Sequence, residues 1–348
     1  MTQTGDRRPV RTVLAERRDP PPGPRRTLRI LMWHVHGPWT ASFVRGGHVC
    51  LLPLTPDRGP DGRGRAAAWT WPDNAVEVPV ERLRDTDVDL VLAQRPHELD
   101  LAERLLGRRP GRDLPAVYVE HDPPGGDVPH TRHPVADRAD VTLVHATHVN
   151  ALLWDNGRAP VAVVEPGVAD PGHRFAGYRA RAGTVVADPL HRWRAAGTDL
   201  LAHIARSAPL DLFGTGVTGV PARLGLPPHR MRVYEDLPRR AVHDRLAHCR
   251  AYVHPARWTS PDLPLVEAMM LGLPVAVLGT AAAHETVPPE AGVVTARTDR
   301  LCAALRDYLA DPAHAREVGA AGRAAAPRRY GLARFHADWD RLLQEVTR

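Results

Sequence analysis

The stretch from Tyr234 to Ala276 carries the residue types best able to do chemistry. Its centre runs His254-Pro255-Ala256-Arg257-Trp258-Thr259-Ser260-Pro261-Asp262-Leu263-Pro264-Leu265-Val266-Glu267. It reads as a strand, a short loop and a helix entered at Pro264, a favoured first-turn residue. The helix stops at Gly272, and Pro274 begins the next strand. On this reading Glu267 falls in the first helical turn, facing back toward the loop. Backbone N–H groups at a helix start form a ready anion site. A carboxylate beside them suits a ribose diol, because it can accept both hydroxyl hydrogens. An equal alternative is that Glu267 only complements the helix dipole.

Other spacings say less. Gly214-Thr215-Gly216-Val217-Thr218-Gly219 follows a strand and matches G-x-G-x-x-G, with Glu235 about 20 residues on. A nicotinamide fingerprint also needs a helix from the third glycine, and Pro221, Pro227 and Pro228 break that segment up. The glycines still let a backbone turn approach a ligand closely. Asp87-Val88-Asp89 resembles a metal clamp but precedes its strand, at the end where α/β folds do not build sites. His34-x-His36, His130-x-x-His133 and His145-x-x-His148 lack the H-E-x-x-H helix or cysteine cluster of a metal site. No metal is expected. Ser42 and Ser260 lack the glycine frame of a nucleophile elbow.

These motifs must be held by a chain of 348 residues, 43% hydrophobic, long enough for two domains. The balance of 46 basic against 40 acidic residues gives +6, and every basic residue is arginine. The first 27 residues hold seven arginines and three acids, so the rest carries only +2. Nucleic-acid binding needs a basic face on the folded body, and none is evident. No apolar run reaches membrane-spanning length and no signal h-region opens the chain, so a cytoplasmic protein is expected. Cys50, Cys249 and Cys302 lie far apart, which excludes a zinc ribbon or a disulfide framework.

Residues 1–27 read as a disordered Arg/Pro-rich tail, with peripheral contact to an acidic membrane surface as its one partner-binding option. Strands follow at Leu28–Trp33, Val49–Leu54, Val88–Ala93, Ala116–Glu120 and Val161–Glu165. A second series reads Gly183–Ala187, Leu210–Phe213, Arg232–Tyr234, Ala251–His254 and Pro274–Val277, and the chain is mostly helix from Thr298. Near-continuous Val/Leu runs alternating with helices indicate parallel strands covered on both faces. The expected class is α/β: two doubly wound Rossmann-like domains facing a cleft, over 28–170 and 184–325. A hinge spans 171–183, and a helical end, 326–348, packs back on the first domain. Ligands of such folds bind at the carboxyl ends of the strands.

The Tyr234–Ala276 stretch resembles the retaining glycosyltransferases of the GT-B fold, the large "group 1" family. Their signature reads roughly P-S-x-x-E-G-x-G-x-x-x-x-E-A-x-A-x-G-x-P-V, and His254-Pro255 through Val275 follow it without a gap. Leu212-Phe213-Gly214-Thr215-Gly216 is similar to the family's G-x-G turn, and Val117-Tyr118-Val119-Glu120-His121-Asp122 to its strand ending in His-Asp. Ala196-Gly197-Thr198-Asp199-Leu200-Leu201 is similar to its K-G-x-x-x-L helix start, and His36-Gly37-Pro38 to its first glycine loop.

The resemblance implies transfer of a hexose-type sugar from a nucleotide diphosphate sugar to a hydroxyl acceptor, with retention and without a metal. The acceptor is a small molecule, glycan or lipid; no further cofactor is implied, and no nucleic acid. Glu267 would bind the ribose, and His121 would lie against the donor sugar as the catalytic residue. Gly37, Gly214 and Gly216 would line the donor site with backbone, and Leu263 would belong to its helix start. The sequence departs from the family at several points. Thr259 replaces the first glutamate of the E-x7-E pair, and Asp262 replaces a glycine and is a candidate for the missing carboxylate. Pro261 removes one N–H from the loop. Ala196 replaces the phosphate-binding lysine and His191 the preceding arginine, leaving Arg192 and Arg194 as the nearest cations. The alternatives are a nucleotide-sugar-binding protein that has lost turnover, and a sugar-nucleotide epimerase. Trp33, Trp39 and Trp154 lie near first-domain loops and read as core rather than as acceptor platforms.

Overall fold

The computed structural model describes residues 11–12, 26–67, 69–259 and 262–348. The chain divides into two units, Met1–Gly167 with Leu332–Arg348, and Val168–Gly331.

Unit 1 is built on β1 (Arg11–Thr12), β2 (Arg29–Met32), β3 (Val49–Leu54), β4 (Ala75–Pro79), β5 (Leu90–Ala93), β6 (Ala116–Glu120), β7 (Thr142–His145) and β8 (Val161–Val163). They form one sheet in the order β1-β8-β7-β6-β5-β2-β3-β4, and every pairing is parallel. Unit 2 holds β9 (Arg179–Val185), β10 (Leu210–Gly214), β11 (Met231–Glu235), β12 (Cys249–His254), β13 (Val275–Leu278) and β14 (Gly292–Thr295). Its order is β11-β10-β9-β12-β13-β14, again all parallel. Helices α1 (Gly37–Phe43), α2 (His97–Leu106) and α3 (His148–Leu153) belong to unit 1. Unit 2 carries α4 (Leu201–Ser207), α5 (Val220–Leu224), α6 (Arg239–Leu246), α7 (Leu263–Leu271), α8 (Ala283–Thr286), α9 (Thr298–Ala310) and α10 (Pro312–Tyr330). Unit 1 takes back α11 (Leu332–Val346).

Strands buried on both faces explain the continuous apolar runs. Alternate residues divide between two cores: Leu31, Leu51 and Val91 face one side of the first sheet, and Ile30, Met32, Leu90 and Leu92 the other. The second of these faces is covered by Phe335, Trp339, Leu342 and Leu343 of α11, one apolar stripe at helical spacing. In unit 2 the buried pair Arg181–Asp211 is satisfied further by the carbonyls of His229 and Leu210.

Several expected boundaries move. Arg179–Val185 form a strand inside the segment read as a 171–183 hinge, paired on both sides by β10 and β12. The second boundary falls at Gly331, so 326–330 remain in α10 rather than joining the terminal helix. Of the 1–27 tail, Arg11–Thr12 pair with Ala162–Val163; residues 1–10 and 13–25 lie outside the described residues. Strands β4, β7 and β14 were not expected from the sequence. β4 and β14 are sheet edges, partly exposed, so they lack the continuous apolar run that marks the inner strands.

Candidate active site

Each sheet reverses its order at one point, and doubly wound folds bind ligands outside the carboxyl ends of the strands there. In unit 2 the reversal lies between β9 and β12. The chain after β9 is clasped onto the chain after β12. Ala195 O accepts from Arg257 N (2.8 Å) and Trp258 N (3.1 Å), and the Arg257 guanidinium pairs with both Asp199 oxygens (2.6 and 3.0 Å). Gly197 sits at φ 74°, and a Cβ there would lie 2.0 Å from Pro255 O, so the clasp requires glycine.

The helix that follows corrects two expectations. α7 begins at Leu263, with Asp262 as its N-cap and Pro264 in its first turn. Asp262 Oδ1 accepts from Leu265 N (3.2 Å) and Oδ2 pairs with His254 Nε2 (3.1 Å). Its carboxylate thus already has the helix start and His254 as partners, which any ligand contact must share. Glu267 is the fifth helical residue, in the second turn, so it neither faces the loop from the first turn nor complements the dipole there. Its buried carboxylate is held by two α6 side chains, Arg239 on Oε1 and His243 Nε2 on Oε2 (2.9 Å). Burial, and then the Arg239 charge, push the His243 pKa down to about 4, so His243 is neutral and donates Nε2–H to Glu267. A ribose diol reaching Glu267 must share it with, or displace, these two partners.

The glycine turn is equally pre-satisfied. Gly214 has φ 143° and its Cβ would fall 1.8 Å from Val186 O; Gly216 has φ 70°. The amides of Gly216 and Thr218 both donate to the Glu235 carboxylate, at 3.0 Å each. No long helix starts at the third glycine; α5 has five residues. Arg192 is exposed and reaches Trp258 O at 3.4 Å. Arg194 is exposed as well and pairs with Asp199 (3.3 Å). Thr259 is half-buried beside Ser260 and Pro261, and the expectation for Pro261 lies outside the described residues. Ala196 is buried.

In unit 1 the order reverses between β2 and β5. Here His121, which follows β6, is buried, packed against His36 at a tilt of 36° (ring centroids 4.0 Å) and edge-on to Trp39 (5.1 Å). Burial, and then the neighbouring His36, hold its pKa well below the ordinary histidine range. His36 is itself lowered, chiefly by burial. His121 Nε2 bonds Gln94 Oε1 (2.9 Å), and Gln94 Nε2 donates to Trp33 O (2.8 Å). Gly37 opens α1, but a Cβ there would lie 2.5 Å from the Trp69 ring, so its open face is against that indole. Trp33 and Trp39 are core residues, and Trp154 donates to Asp122 O (3.0 Å).

The close histidine pairs have separate partners: His133 Nε2 bonds Glu120 (3.0 Å) and His145 Nε2 bonds Asn156 (2.8 Å). No cluster among the described residues has the make-up of a metal site. Asp89 accepts from Arg26 (2.6 Å) and Arg29 N (2.7 Å) at the amino end of its strand. A cavity of about 320 Å³ lies at the same end of the unit 1 sheet, between Arg112, Asp140 and Val346, away from these groups. Sequence reasoning missed Arg239, His243, Gln94 and Trp69. Arg239 and His243 have an i,i+4 spacing that puts them on one helix face, and Gln94 is the polar residue ending an apolar strand run.

Residues 192–339 match the family model described as "Glycosyl transferase-like". The matched residues take in most of unit 2 and the start of α11. Sucrose-phosphate synthase from Thermosynechococcus elongatus has a similar structure at 15% identity (TM-score 0.66), with 92% of this chain and 99% of that chain covered. Anabaena Alr3699/HepE in complex with UDP matches at 14% identity (TM-score 0.67), covering 92% and 100%. A glycosyltransferase from Rickettsia africae matches at 10% (TM-score 0.65), covering 92% and 98%. The fold is therefore the GT-B fold of glycosyltransferases, two parallel Rossmann-like sheets. No curated protein matches the chain significantly in sequence. No helix among the described residues is long and apolar enough to cross a membrane.

Proposed function

We propose that this protein is a retaining, metal-independent glycosyltransferase that moves a hexose-type sugar from a nucleoside diphosphate to a hydroxyl acceptor. The observation that carries this reading is the strand–loop–helix from β12 through α7. It lies at the reversal point of unit 2, inside the domain that matches a glycosyltransferase family, with Glu267 in its helix. Unit 2 binds the nucleoside diphosphate, with Glu267 on the ribose and Arg192, Arg194 and the start of α7 on the phosphate side. His121 of unit 1 contacts the donor sugar. The bond from the anomeric carbon to the diphosphate oxygen is exchanged for one to the acceptor oxygen, and the acceptor proton leaves with the diphosphate. Donors aimed at the developing charge supply the largest share of such catalysis, about 3–4 kcal/mol for one hydrogen-bond donor. The enzyme works in the cytoplasm, with at most peripheral membrane contact.

Uridine nucleotides are the first donors to try, because structures of Anabaena HepE hold UDP and UDP-glucose. The deciding experiment is a thermal-shift and turnover screen of the full chain against UDP-, GDP-, ADP- and TDP-sugars, with and without EDTA, repeated with Glu267→Gln. A selective shift lost in the variant, with EDTA-insensitive turnover and a product of unchanged anomeric configuration, is the expected result. No shift and no turnover with any donor overturns it. Thr259, Ala196 and the already paired Glu267 favour the one competing reading, a binding protein without turnover; it predicts a shift without product.

A further inference from the structure

We propose that Gln94 is a positioning residue that fixes His121 as the Nε2–H tautomer and reserves its Nδ1 as a hydrogen-bond acceptor for a hydroxyl of the donor sugar. The sugar contact rests on the function proposed above; the tautomer does not.

The argument starts from the way Gln94 is clamped. It follows β5 at the reversal point of unit 1, where β5 pairs with β2 through Ile30–Leu90, Leu31–Val91 and Met32–Leu92. Its backbone N donates to Glu98 Oε2 (2.6 Å), and its backbone O accepts from the Tyr118 hydroxyl (3.3 Å). Glu98 is fully buried and is held in turn by Arg95 N (3.1 Å) and Arg95 Nε (2.7 Å). Gln94 itself is 6% exposed.

The side-chain amide has a carbonyl oxygen that only accepts and an NH₂ that only donates. Its neighbours decide which end goes where. Trp33 O can only accept, so the NH₂ must face it, at 2.8 Å. Turning the amide over would set two acceptor oxygens against each other at that distance. The carbonyl end is therefore fixed on His121 Nε2 at 2.9 Å, and that nitrogen must carry the proton. In the neutral ring the lone pair then lies on Nδ1. Burial and the adjacent His36 ring disfavour a second proton. Nδ1 makes no hydrogen bond among the described residues. It can accept from a hydroxyl and cannot donate, so a sugar position bearing a hydroxyl is read and its deoxy analogue is not. A ligating or catalytic imidazole is commonly oriented through its other nitrogen in this manner.

The test uses the full chain with ¹⁵N-labelled histidine, and His121 is assigned by difference with His121→Phe. Long-range ¹H–¹⁵N spectra at neutral pH should show a protonated Nε2 and an unprotonated Nδ1 in the unliganded protein. A protonated Nδ1 overturns the proposal without any variant. Gln94→Met, which keeps the volume and removes both hydrogen bonds, should give mixed tautomers, and Gln94→Glu should bring a second proton onto the ring. With a donor that is turned over, Gln94→Met should lower kcat roughly tenfold, the worth of one hydrogen bond, in a chain that is less stable but still folded. Unchanged tautomers in both folded variants would sink the idea. If the tautomers respond but the native chain turns over no nucleotide sugar, the proposed function fails while the role of Gln94 in the ring stands.

Discussion

At the reversal point of unit 1, Gln94, His121 and His36 meet as neutral groups, an amide and two imidazoles depleted of protons. At the same point of unit 2 the contacts engage carboxylates: Arg239 with Glu267 and Arg257 with Asp199 are ion pairs, and Asp262 meets His254 Nε2. The topology is shared, since each sheet reverses its order once, between β2 and β5 and between β9 and β12. Buried neutral acceptors suit an uncharged, hydroxyl-bearing group. Paired charges suit an anion, because a phosphate can exchange with a carboxylate for the same cation.

The ionic character of unit 2 extends into its core, and the largest expected effect tests it there. Asp211→Ala leaves Arg181 buried without its carboxylate and should cost about 3–5 kcal/mol in urea unfolding. A neutral result would remove the contrast between the units. Acid separates them next. In the unfolded chain His34, His36, His121 and His145 take up protons near the ordinary histidine value, whereas in folded unit 1 burial keeps them neutral to lower pH. Over that window the unfolded state binds more protons. Their contribution is therefore complete above about pH 6.5 and is lost as pH falls toward the folded values. His145, lowered to about 4, accounts for about 3 kcal/mol of this. Unit 2 has one such histidine resolved, His243. Hydrogen exchange at pH 7.5 and pH 5 should show unit 1 losing protection first, and equal loss would contradict the assignment.

Smaller effects refine the picture. Asp262→Ala removes the N-cap of α7 and should cost about 1 kcal/mol, with Asp262→Asn recovering most of it. At the bottom of the scale, Arg297→Ala breaks an exposed pair with Asp299 and should leave stability unchanged within the error of a urea titration. A larger loss there would mean that surface charge matters more in unit 2 than its buried pairs suggest.

Inner strands such as Leu90–Ala93 and Ala116–Glu120 were legible because burial on both faces leaves an unbroken apolar run. The edge strands β4 and β14 were not, since their exposed residues follow the demands of solvent. The β12–α7 motif was legible from Pro264, Gly272 and Glu267, whose roles are local. The partners of Glu267 were not, because Arg239 and His243 lie 24 or more residues away and meet it only through packing. For Asp262 the sequence reading named a candidate carboxylate and passed over its local use as the α7 cap.

Unit 1 is closed by a helix that comes from the far side of unit 2 in the chain. The ribosome therefore delivers a sheet whose second face lacks Phe335, Trp339, Leu342 and Leu343 until unit 2 has been made. During that interval unit 2, continuous from Val168 to Gly331 and joined at its ends through the Val168–Gly331 bridge, can complete itself. The half that is translated first is the half that matures last, and chaperones meeting the nascent chain will find their exposed apolar surface on unit 1.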